Sequence, residues 1–112
     1  MDMTTFKQHL ATLPSIDHLS GLDVVNLLGL TVHHIPNAPN TQGSLKIYHA
    51  LSLGGKELDE DAVAMGLILF GEHVEAAQKH PGSHPNIDFL LAQKNHNLEY
   101  RLKPITAATP EK

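Results

Sequence analysis

LDEDAVAMGLILFGEHVEAAQKHPGSHPNIDFLL, Leu58 to Leu91, holds the widest apolar face of the chain and its densest group of ionisable side chains. Val63, Leu67, Phe70, Val74 and Ala77 recur at the i, i+3/i+4 spacing of one helix face, and Ala62, Leu69 and Ala76 widen it. A stripe that wide predicts one central helix packed on two neighbours. Asp59 is placed to cap it, Glu60 and Asp61 suit the positive end of its dipole, and Glu75 and Lys79 pair on its outer face. Pro81-Gly82 ends it, and Pro85 sits near the first turn of the next helix, whose inner face is Ile87, Leu90 and Leu91.

On the N-terminal side, Thr5-Phe6-Lys7-Gln8 matches a capping box for a short amphipathic helix ending at Pro14. Leu22 to Pro36 reads as a β-hairpin, with β-branched residues on both arms and Gly29 in the turn. Its tip carries Leu27, Leu28 and Leu30, which predicts cover by another element or by a second subunit. Ser44 is the expected N-cap of a helix over 45–53. After the central stretch, residues 98–103 alternate as a strand with one buried face. Pro104 is expected to close that strand, with 105–112 as a flexible tail.

The expected architecture is therefore a single α+β domain over residues 1–112, in the order α-β-β-α-α-α-β. A small three-stranded, mostly antiparallel sheet (the hairpin plus the C-terminal strand) packs with about four helices. A sheet that small leaves an edge or face open, and a homodimer is the natural remedy.

Composition narrows the function classes. The 112 residues carry a formal charge of −4 with one arginine, Arg101, so the clustered basic surface that nucleic acid demands is missing. No apolar run is long enough to span a membrane, and the N-terminus lacks a signal peptide's basic and apolar regions. Without cysteine there is no disulfide or thiolate chemistry, and a cytoplasmic location is the expectation.

Nine histidines are the compositional oddity, dispersed from His9 to His96. Glu72, His73, His80, His84 and Asp88 supply the ligand types of a zinc or other divalent metal site, with His73, His80, His84 and Asp88 as the ligand set. The spacing opposes this. Pro81-Gly82 separates His80 from His84, and Glu72 and His73 diverge by about 100° on a helix. Capping and hydrogen bonding account for the same residues. His33 and His34 face opposite sides of their strand, so at most one reaches any one site. His34, sharing its side with Val32 and Leu30, is expected to point inward. The Pro81-to-Asn86 turn is a poor anion cradle, and Ser15, Asp17, His18 and Ser20 lack any nucleophile elbow. These observations favour a non-enzymatic module that binds a protein or small-molecule partner through His33, His34, His84, Asn86 and Asp88. The alternative is a metal-binding protein or metal-dependent enzyme built on residues 72–88.

The segments at 13–25, 32–39 (VHHIPNAP), 43–48 (GSLKIY) and 66–88 (GLILFGEHVEAAQKHPGSHPNID) resemble a family of small bacterial proteins, domain of unknown function 2322. The resemblance spans roughly residues 6 to 103 and implies a bacterial, cytoplasmic protein, with no activity, cofactor or catalytic residue to carry over. One departure is the hairpin tip, Asn26-Leu27-Leu28-Gly29-Leu30, where a more polar turn is expected.

Overall fold

The computed structural model describes residues 6–39, 41–53, 57–96 and 100–106. Eight elements follow in order: α1 (Phe6–Ala11), β1 (Leu19–Val25), β2 (Thr31–Pro36), α2 (Gln42–Leu53), α3 (Glu60–Phe70), α4 (Glu72–Lys79), α5 (Pro85–His96) and β3 (Arg101–Thr106). The sheet is antiparallel with order β2-β1-β3, so the hairpin's first arm is the central strand. The α+β class and the three-stranded sheet are those read from the sequence, with one helix more.

That extra helix comes from Gly71. The helical stripe runs through this position unbroken, but Gly71 takes φ 59° and ψ −128°, and the chain turns between α3 and α4. A positive φ is readily available only to glycine, so the elbow can form there at little cost. The Gly71 N–H still bonds the carbonyls of Leu67 (3.3 Å) and Ile68 (3.1 Å), so α3 ends with its last acceptors satisfied. Val63, Phe70 and Ala77 remain buried on both sides of the elbow, while Met65 and Ile68 face outward. At the other end Asp59 caps α3 as expected, its carboxylate accepting from the Ala62 N–H at 2.9 Å.

Asn26 shapes the hairpin turn. Its Oδ1 accepts from the N–H groups of Leu28 and Leu30, both at 2.9 Å, and its carbonyl accepts from Gly29, which has φ 84°. One Asn and one Gly thus supply the turn's polar partners and its left-handed residue, leaving the leucines without a structural duty. Leu27, Leu28 and Leu30 are 69%, 83% and 60% exposed, so no described element of this chain covers the tip.

The facing of the two strand histidines is the reverse of the expectation. Ile35 pairs with Leu22 and His33 with Val24, and Ile35, Leu22 and Val24 are all fully buried. Alternation then places His33 inward and His34 outward, where it pairs with Asp23 across the strands at 2.6 Å. Val32 and Leu30 share the outward side with His34 despite their apolar side chains, and the register shifts between Val24 and Val25.

Two boundaries also move. α2 begins at Gln42, three residues ahead of the expected start, with the Thr41 carbonyl accepting from the Leu45 N–H; Ser44 lies inside the first turn. β3 runs on through Pro104 to Thr106, so residues 105 and 106 are strand and not tail. An edge strand tolerates proline because one side of its backbone is unpaired. Leu98 and Glu99 of the expected strand, residues 107–112 of the expected tail, and Thr5 of the expected capping box lie outside the described residues.

The core lies between the sheet and the helical layer. Leu22, Val24, Ile35, Leu45, Ile47, Tyr48 and Leu90 are fully buried. Gly66 lets α2 and α5 close on α3: a Cβ there would stand 2.8 Å from Leu90 and 3.1 Å from Leu51. Gly43 does the same for α1, since its Cβ would meet the Phe6 ring at 2.6 Å.

Candidate functional site

The elbow at Gly71 brings α4 beside α1 and the start of α5. Between these elements and the first turn of α2 lies a cleft of about 600 Å³. Its apolar wall is Phe6, Leu10, Phe70, Pro85 and Ile87; its polar groups include Ser44, His73, Ser83, His84 and Asn86. Among the described residues, none that lines it is Asp, Glu, Lys or Arg. A concave, mostly apolar pocket with a few polar groups is the usual form of a small-molecule site.

Aromatic packing sets the wall. Phe6 lies parallel to Phe70 with ring centres 6.0 Å apart, and the His73 ring meets Phe6 edge-on at 4.5 Å. The rings of His73 and His84 stand 5.7 Å apart across the mouth of the α4–α5 turn. Glu72, adjacent to His73, turns the other way and accepts the Phe6 N–H at 2.9 Å, fastening the start of α1 to α4. That bond, followed by the residue's own amide and the charges of His73 and His9, holds the Glu72 carboxyl below the usual range.

Beneath the cleft, Asn86 joins two layers. Its carbonyl accepts from the Tyr48 hydroxyl at 2.6 Å, and its Oδ1 bonds His33 Nε2 at 2.7 Å. His33 also stacks on Phe89 at 4.6 Å with the planes 11° apart. Burial raises the Tyr48 pKa, so this hydroxyl stays a neutral donor.

The expected site residues are therefore divided. His73 and His84 come together. His80 is exposed at the C-terminal end of α4, where its N–H donates to Ala76 and its carbonyl accepts from Ser83. The Asp88 carboxylate accepts the Gly82 N–H at 2.8 Å and ties the turn. Among the described residues, no group of three or more His, Asp or Glu side chains is arranged to hold a metal ion. Of the expected partner surface, Asn86 and His84 line the cleft, His33 supports it from below, and His34 lies on the far face of the sheet. Phe6, Leu10 and Ser44 were not expected there. The one hint was Phe6, Leu10 and Leu13 on a single face of the first helix, expected to dock on the sheet; α1 docks on α3 and α2.

The fold and cleft define a class: a small α+β protein with a three-stranded antiparallel sheet and a helical layer that opens into a pocket. The model of the family described as "uncharacterized protein conserved in bacteria", domain of unknown function 2322, matches residues 6–104, and the chain belongs to this family. No curated protein and no solved structure matches it. Among the described residues, no helix is long and apolar enough to cross a membrane.

Proposed function

We propose that this is a non-enzymatic bacterial ligand-binding module of the cytoplasm, and that its site is the cleft at His73 and His84. The cleft itself carries the reading: an aromatic wall beside two imidazoles, with no charged side chain in the lining. Such a lining suits a compact molecule with an apolar body and an acceptor-bearing or anionic head. The body would lie on Phe6 and Phe70, and the head would take hydrogen bonds from the imidazoles and the Asn86 amide. Benzoate and phenyl phosphate are suitable probes in a thermal-unfolding assay. At ten times its Kd a ligand adds about 1.4 kcal/mol of stability, roughly 5 °C or more for a domain of this size. That gain is expected for wild type and should largely vanish for His84→Ala. Stabilisation by zinc alone, abolished by the same substitution, would instead favour the metal-binding alternative, for which the His73–His84 pair is the remaining support.

A second expectation is a homodimer through the hairpin. The outer strand β3 is blunted by Arg101, Lys103 and Pro104 and bridged by Glu57, as solitary edges commonly are. The opposite edge, β2, has no Asp, Glu, Lys or Arg and is entered from the exposed leucines of the tip. Two copies meeting there would cover both. Native mass spectrometry at tens of micromolar should give a dimer for wild type and a monomer for Leu28→Asp; a monomeric wild type removes the dimer from the account.

A further inference from the structure

Away from the cleft, a second pair of histidines sits at the other side of α2. His49 is 6% exposed, and its Nδ1 has no hydrogen-bond partner. Its ring stands 5.5 Å from that of His18, with the planes 71° apart. His18 belongs to the exposed turn that leads into β1, and Asp17 beside it faces solvent. The turn is pinned at few points: the Leu19 N–H bonds the Ile16 carbonyl at 2.9 Å, and Asn37 Nδ2 donates to the carbonyls of Ile16 (3.2 Å) and Leu19 (2.7 Å). Ile16 is its buried apolar anchor.

We propose that the His18–His49 pair is an acid-sensitive latch: protonation sets two positive rings face to edge and releases the 15–19 turn, with Ile16, from α2. A buried imidazole that gains a proton needs a new acceptor, and the structure provides none near Nδ1. Burial, and next the charge of His18, hold His49 below the usual imidazole value. Among the described residues, His18 is the one ionisable group whose charge acts on His49. No carboxylate charge among the described residues offsets it. Because the folded ring resists protonation, the unfolded or released chain binds more protons below about pH 6.5. The stabilisation is complete above that value and is lost as pH falls through the depressed pKa. The latch is independent of what the cleft binds.

Amide hydrogen exchange reads it directly. Between about pH 7.5 and about pH 5.5, the protection factor of the Leu19 amide should fall by up to about tenfold. Protection of the Val63 amide, bonded to Asp59 in α3, should hold and serve as the reporter of global unfolding. His18→Gln, at an exposed position, should at least halve the Leu19 effect on a logarithmic scale, and His49→Leu should abolish it. Loss of Leu19 protection that is equal in wild type and His18→Gln, or absent in wild type, would overturn the latch.

Discussion

Replacing Phe70 by alanine is expected to cost about 3–5 kcal/mol, the range for deleting a buried aromatic side chain. Total stability for a single domain is about 5–15 kcal/mol, so the variant should lie near the edge of folding. Phe70 is 2% exposed at the last position of α3, stacked on Phe6 and set edge-on to Tyr48 at 6.4 Å. It is therefore the side chain that α1, α2 and the α3–α4 elbow share, and its removal leaves a cavity that none of them can close alone. Phe70→Leu, which keeps most of the volume, should cost about 1–2 kcal/mol. Urea denaturation gives both values from the shift of midpoint at unchanged slope. A loss under about 1 kcal/mol for the alanine variant would mean that α1 does not dock on Phe70 in solution.

Gly21→Val should be nearly as damaging, for a different reason. Gly21 is on the central strand, opposite Pro36 on one side and Ile105 on the other. A Cβ there would stand 2.7 Å from the Ile35 carbonyl oxygen and 3.1 Å from the His34 ring. The imidazole can swing away, but the carbonyl belongs to the paired strand and cannot yield without opening the ladder. Overpacking of this kind costs about 1–3 kcal/mol, and the branched side chain places valine at or above the top of that range. Gly29→Ala provides the contrast. The tip has open space, and only the positive φ is penalised, at about 1 kcal/mol. If both variants unfold at the same urea concentration, the close approach of β1 and β2 at Gly21 is not as described.

The sequence told most about features that recur at a fixed period. The alternation around Leu102 and the seven-residue spacing of Val63, Phe70 and Ala77 each report one buried face, and these residues are buried. Period alone was blind to the elbow, because a helical pattern passes through Gly71 without losing phase. The break becomes visible only once Glu72 is seen to reach the Phe6 amide. His33 and His34 were misassigned because Leu30 and Val32 counted as inward residues. Counting from buried Ile35 instead puts Leu30, Val32 and His34 together on the outward side.

The cleft was half legible. His84 and Asn86 stood out as polar groups at a helix start. Their partners Phe6 and Gly43 lie far away in the chain and meet them only through the packing of α1 on α2. His73, His80, His84 and Asp88 show the limit from the other side: they are close in sequence, yet among the described residues they do not gather around one point. The turn they flank uses the Asp88 carboxylate and the His80 backbone to hold itself together.

The central claim is that small molecules bind between α1 and α5. The most direct test follows the backbone amide resonances of the isotopically labelled protein as benzoate or phenyl phosphate is added. The account predicts saturable shifts concentrated at Gly43, Ser44, His73, His84 and Asn86, with the hairpin tip and the outer face of the sheet unmoved. Shifts that saturate on the His34–Asp23 face or at Leu27 and Leu28, leaving the cleft silent, would contradict it.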